Sequence, residues 1–160
     1  MRNWLIGLAV LLILFCWQAG HILYSVLGEK QQWKAEGISL AKEHTAIENV
    51  QKVSLYHGKE SYLVVQGSNA AQIPMIAWFR EGQFERFEYE KDLASAEQIE
   101  KLVRAQVKVK EWVRIQPGME NQEPLWEVLV IDEENKFNYY YYNMRNAQFI
   151  RSYKLQKTAG

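Results

Sequence analysis

Cysteine is nearly absent from this 160-residue chain, with Cys16 the sole example. A single thiol excludes an intramolecular disulfide framework and any thiolate metal cluster. Proline is scarce, at 3, and only 3 histidines and two aspartates are present, which thins the stock of metal ligands and acid–base groups. Calcium loops need clustered Asp and Asn, whereas Asp92 and Asp132 stand far apart. Charge is missing altogether from Asn3 to Gly28. Apart from Arg2, every charged side chain lies in 29–160, as 18 basic and 19 acidic residues with a net charge near −1. A nucleic-acid binder needs surplus Lys and Arg to displace counterions from phosphates, so that class is excluded.

The uncharged stretch has a use of its own. Trp4 to Leu27 would form a helix of about 36 Å, enough to cross a hydrocarbon layer about 30 Å thick with a slight tilt. Trp4 and Tyr24 suit the interfacial zones, while Trp17 sits deeper. Arg2 and the amino terminus precede the run, and Glu29, Lys30, Lys34 and Glu36 nearly cancel after it. The positive-inside bias puts the N-terminus in the cytoplasm and 29–160 outside. No small-x-small cleavage site follows, because Trp17 stands two positions before Ala19, and bulky Phe15 precedes Cys16 where a lipoprotein signal needs a small residue. Residues 1–28 therefore read as a cytoplasmic stub and an uncleaved, single-pass anchor. His21, near its end, reads as a neutral interfacial side chain.

Behind the anchor the chain repeats itself. Gln83-Phe84-Glu85-Arg86 recurs as Gln148-Phe149-Ile150-Arg151, 65 positions later, and Val64-Val65 falls on Leu129-Val130 at the same offset. An offset of 61 aligns Ile38 with Ile99, Ala41 with Leu102 and Ala46 with Val107. A longer loop in the second copy, Gln116 to Pro124, absorbs the difference. The first unit, 29–91, is expected to hold a helix over 31–49 and strands near 50–57, 60–67, 73–80 and 84–90. The second, 92–160, opens with the capping box Ser95-Ala96-Glu97-Gln98 and a helical face of Ile99, Leu102, Val103 and Val107. Its strands are expected near 111–116, 125–132, 136–143 and 147–154, with turns at Glu133-Glu134-Asn135 and Arg145-Asn146. The fold class is thus α+β: an anchor helix, then two tandem units of one helix on a four-stranded antiparallel meander. Each unit is too small to bury much surface alone, so the two are expected to pack together.

No catalytic motif emerges: there is no nucleophile elbow, zinc helix, dinucleotide fingerprint or phosphate loop. His44 shares a helix face with Leu40 and Ile47 and reads as a packing residue, and His57 beside Gly58 as a turn residue. The chain is read as a non-enzyme that needs neither metal nor cofactor. Two surface features remain. In Lys136-Phe137-Asn138-Tyr139-Tyr140-Tyr141-Tyr142-Asn143, Phe137, Tyr139 and Tyr141 share one strand face and are the better core candidates. Tyr140 and Tyr142 share the other, either as an exposed aromatic pair for a protein or glycan contact or packed on the first unit. Charge is also segregated: Glu81 to Glu100 carries seven acidic and two basic residues, Asn143 to Gly160 four basic and no acidic ones. Tyr140, Tyr142, Arg145, Arg151 and Lys154 are accordingly the candidate partner-binding residues. The basic end, Lys157 included, would suit anionic headgroups, an anionic wall polymer or an acidic partner.

An anchor followed by two helix-plus-sheet units, with stretches such as Ala77-Trp78-Phe79-Arg80-Glu81-Gly82 and Tyr139-Tyr140-Tyr141-Tyr142-Asn143, resembles the TseB-like (YpmB-type) membrane proteins of Gram-positive bacteria. The resemblance implies PepSY- or cystatin-like outer domains. It also implies an extracytoplasmic regulator of cell wall elongation that associates with a penicillin-binding transpeptidase. It carries over no catalytic residue. Two other readings are a module restraining an extracellular peptidase, with the 116–124 loop as the inserting part, and a sensor of wall ligands. The sequence assigns no oligomeric state.

Overall fold

A computed structural model describes residues 12, 14–18 and 32–155. The chain divides into two compact units, Met1–Glu36 and Gly37–Gly160. In the first, residues 12 and 14–18 are helical, with Leu12, Leu14, Phe15 and Trp17 exposed. Among the described residues no helix is long and apolar enough to cross a membrane. The rest of the expected 4–27 span lies outside the described residues.

Residues 32–44 are helical (α1), and 37–44 belong to the larger unit. The helix stops five residues short of the expected end at Asn49. Thr45 explains the stop: its hydroxyl donates to Ala41 O at 2.6 Å and accepts from Ile47 N at 3.1 Å, turning the chain into β1. Gly37 sets how closely α1 lies on the sheet. A Cβ there would come 2.7 Å from Val53 Cγ1 and 3.2 Å from Leu63 Cδ2, so a larger residue would push the helix away. Ala41 and Ile47 are buried beneath.

Two four-stranded antiparallel sheets follow, each with its strands in chain order. The first comprises β1 (Asn49–His57), β2 (Ser61–Ser68), β3 (Pro74–Arg80) and β4 (Gln83–Tyr89). A short 3-10 turn, Glu90–Asp92, leads to α2 (Ala96–Gln106), where Ser95 Oγ accepts from Gln98 N at 3.2 Å as the capping signature anticipates. Ile99 and Val103 are its buried face. The second sheet comprises β5 (Val109–Glu120), β6 (Glu123–Asp132), β7 (Phe137–Asn143) and β8 (Phe149–Leu155).

The expected loop Gln116 to Pro124 is not a loop. β5 runs through Gln116-Pro117-Gly118-Met119 to Glu120 and returns at Glu123, pairing Pro117 with Trp126 and Met119 with Pro124. Only Asn121 and Gln122 turn, at φ 49° and 64°, the positive-φ pair of a two-residue hairpin whose twist matches its strands. Proline and glycine suggest a turn in sequence. Here Gly118 is required by packing instead, since a Cβ would lie 2.4 Å from the Tyr56 ring. The peptidase-inserting loop thereby loses its structural basis.

The repeated tetrapeptide opens the last strand of each sheet and bulges it in the same way. In the first sheet Phe79 pairs with Phe84 and Trp78 with Arg86, leaving Glu85 as the extra residue. In the second Tyr142 pairs with Phe149 and Tyr141 with Arg151, leaving Ile150 extra. Even the aromatic packing repeats: Phe79–Phe84 and Tyr142–Phe149 meet edge to face at 5.9 and 5.7 Å. One apolar cluster draws on both sheets and α2, including Tyr56, Val64 and Trp78 with Ile99, Met119, Trp126 and Val128.

Candidate interaction surface

The register of the second sheet places Gln116, Glu127, Tyr141 and Arg151 side by side across its four strands. Glu127 is the unusual member, an acid only 4% exposed within the apolar run Leu125 to Ile131. A buried carboxylate survives only when its oxygens are satisfied. Three donors do this: Arg114 Nη2 at 2.7 Å, Gln116 Nε2 at 3.0 Å and the Tyr141 hydroxyl at 3.0 Å. A second carboxylate, Glu120, accepts from the Tyr56 hydroxyl at 3.0 Å and from Arg151 Nη2 at 2.5 Å. Arg151 also stacks on the Tyr141 ring, 4.2 Å from its centroid. The network ties β1 of one sheet to β5 and β8 of the other.

Its titration follows from these contacts. Burial, then the charge of Glu120, pushes the Tyr56 phenol far above its ordinary value. Burial and Glu127 do the same for Tyr141. Burial raises Glu120, but the hydrogen bonds from Arg151 and Tyr56 outweigh it and leave the carboxyl below its ordinary value. The arrangement therefore favours an ionised Glu120 carboxylate and keeps the Tyr56 and Tyr141 phenols neutral. It is built to stay fixed.

The candidate residues from the sequence prove to be mostly internal. Tyr140 and Tyr142 are 7% and 1% exposed and belong to the shared core, so the exposed aromatic pair is not formed. The reason is the direction of packing: Trp126, Val128 and Val130 pair with Tyr142, Tyr140 and Asn138 on the face that joins the core with Ile99 and Val103. Burial raises the Tyr142 phenol to about 12, and its hydroxyl accepts from Gln106 Nε2 at 2.8 Å. Phe137 and Tyr139, the expected core face, are only half-buried, though Tyr141 joins the core cluster.

The basic residues are likewise engaged. Arg145 Nη2 lies 2.6 Å from Glu88 Oε1, so the acidic middle and the basic end partly neutralise each other within the molecule. Arg151 serves Glu120, and Lys154 Nζ sits 2.8 Å from Asp132 Oδ2 and 3.5 Å from Glu134 Oε2. Lys157 lies outside the described residues. Of the five candidates, only Arg151 belongs to the transverse row. Sequence reasoning missed Glu127 and Tyr56; the lone acid amid Leu125 to Ile131 was the available signal for the former.

What the surface offers instead is apolar. Phe84, Phe87 and Tyr89 form a chain of rings along β4 with successive centroids 6.4 and 5.7 Å apart, and Phe84 and Phe87 are exposed. Along β8, Phe149, Ile150, Tyr153 and Leu155 are exposed. Between the hairpin tips is a polar cleft of about 400 Å³ lined by Lys59, Glu60, Arg80, Glu85, Glu120 and Gln122, among others. Arg80 is already spanned there by Glu60 at 2.6 Å and Glu85 at 2.8 Å. Among the described residues no group of three or more His, Cys, Asp or Glu side chains is placed to hold a metal ion.

Residues 36–80, α1 through β3, match the family described as the cell wall elongation regulator TseB-like domain. Over 150 residues the chain is 23% identical to the probable cell wall elongation regulator TseB of Bacillus subtilis strain 168, covering 92% of this chain and 90% of that protein. The solved YpmB protein from Bacillus subtilis has a similar fold, with a TM-score of 0.64 at 22% identity, over 71% of this chain and 91% of that one.

Proposed function

The chain belongs to the TseB-like (YpmB-type) family, and from that premise we propose that it is a non-enzymatic regulator of cell wall elongation. The observation that carries the reading is the nearly end-to-end correspondence with a relative described as such a regulator. In this reading residues 1–28 anchor the protein in the cell membrane with the N-terminus in the cytoplasm. Residues 29–160 then work outside as two tandem units, 29–91 and 92–160, each one helix and one sheet. Tethering confines regulator and partner to one surface layer, which raises their effective concentration and lets a weak contact suffice.

The partner in this proposal is a penicillin-binding transpeptidase or another wall-synthesis protein. The internal ion pairs of Arg145, Arg151 and Lys154 favour a contact made by exposed apolar side chains over one made by free basic charge. In-cell crosslinking of the full chain followed by mass spectrometry tests this. Recovery of a wall-synthesis protein supports the proposal; recovery of extracellular peptidases alone, with no wall-synthesis protein, contradicts it.

A further inference from the structure

Among the described residues the outer edge of β8 has no partner strand, and an open edge presents a row of unpaired amide and carbonyl groups. Such edges are ordinarily blunted by bulges or charge. All four edge strands are bulged: β1 between Val50 and Lys52, β4 at Glu85, β5 between Val109 and Glu111 and between Trp112 and Arg114, and β8 at Ile150, the counterpart of Glu85. A single bulge near its start leaves most of β8 regular. From Arg151 to Leu155 it pairs regularly with Phe137 to Tyr141.

Its charges do not protect it either. Arg151 is drawn onto Glu120 and the Tyr141 ring, and Lys154 onto Asp132. Tyr153 and Leu155 remain 53% and 54% exposed. An extended strand is the occupant that such an edge accepts, its backbone meeting the free groups and its alternate side chains meeting Tyr153 and Leu155.

We propose that the occupant is β8 of a second copy of this chain, paired antiparallel about a two-fold axis at Tyr153. Charge supports that choice. In this register Tyr153 meets its own counterpart, Arg151 stands opposite Leu155 and Ser152 opposite Lys154, so no like charges face each other. The contact is self-complementary and closes, as a two-fold interface must. It joins two four-stranded sheets into one of eight strands and gives the exposed Tyr153 ring, already edge to face with Tyr141 at 5.9 Å, a second aromatic neighbour across the new seam.

The test uses the full chain in intact cells, with Cys16→Ser to remove the native thiol. Tyr153→Cys and Ser152→Cys are compared under mild oxidation. Cysteines directly opposite each other across paired strands fall within disulfide reach. Tyr153→Cys is therefore expected to give a disulfide-linked species at twice the chain mass, while Ser152→Cys, opposite Lys154, stays monomeric. Equal crosslinking of both, no self-crosslinking, or capture of Tyr153→Cys by a different protein alone would overturn the proposal. A second measurement guards against misfolding. The detergent-solubilised chain is expected to sediment as a dimer, and Tyr153→Lys as a folded monomer that still unfolds in one cooperative transition, at a lower temperature because the dimer no longer stabilises it. A monomeric parent chain overturns the proposal as well.

Discussion

The two sheets are built to one plan, yet the equivalent row across each is filled with opposite chemistry. In the first sheet Ser54, Val64, Trp78 and Arg86 stand side by side; in the second the same places hold Gln116, Glu127, Tyr141 and Arg151. Both rows end on the arginine of the repeated tetrapeptide, just past the bulge. The first has an apolar centre and leaves the Ser54 Oγ and Trp78 Nε1 atoms without hydrogen-bond partners. The second has a carboxylate centre with three donors. The same backbone thus accepts either a dry core or a polar network, provided each row is internally consistent. The first holds by packing, the second by satisfied charge.

The first sheet is most vulnerable at its apolar centre. Trp78→Ala empties the place of a fully buried ring and is expected to cost about 4 kcal/mol, measured by denaturant unfolding of the chain. Gly118→Ala comes next, because the new methyl would collide with the rigid Tyr56 ring where the two sheets meet. A loss of about 2 to 3 kcal/mol is expected; a neutral result would mean that the contact yields easily. Glu127→Ala leaves Gln116 and Tyr141 without their acceptor. The cost should be about 2 kcal/mol, limited because Arg114 can turn to water. If Glu127→Ala exceeds Trp78→Ala, the ranking of the two centres is wrong.

Smaller effects separate the networks by pH and by salt. Glu120 titrates below its ordinary value when folded. Its stabilising effect is therefore complete above the unfolded value of about 4.5 and fades as pH falls through the folded one. Glu120→Gln should flatten that part of the acid-unfolding profile, and an unchanged profile would remove Glu120 from the account. Arg145→Ala breaks an ion pair whose arginine is largely exposed and should cost about 0.5 kcal/mol, shrinking in high salt.

Much of this architecture was legible in the residues. Alternating or apolar runs bounded by Gly, Asn and Ser placed all eight strands, β5 only as far as Gln116, and the recurrence of Gln-Phe-x-Arg marked the last strand of each sheet. The α2 start followed from Ser95. Where the reading failed, a tertiary contact had reassigned a local signal. Pro117-Gly118 suggests a loop until Tyr56 needs the space that only glycine leaves. The choice of core face in β7 turned on where Trp126 and Val128 point, which alternation inside Tyr139 to Tyr142 cannot tell, since both faces carry tyrosine. The basic end looked free because its carboxylate partners lie 20 to 57 residues away along the chain. Sequence charge counts do not reveal such pairings.

The central claim, that the protein regulates cell wall elongation, is tested most directly by the rate of sidewall growth. That rate can be followed by labelled wall precursor in cells with and without the chain. A changed rate and altered cell length are expected in its absence, both restored by an intact copy. Identical precursor incorporation and cell length in the two strains would contradict the claim.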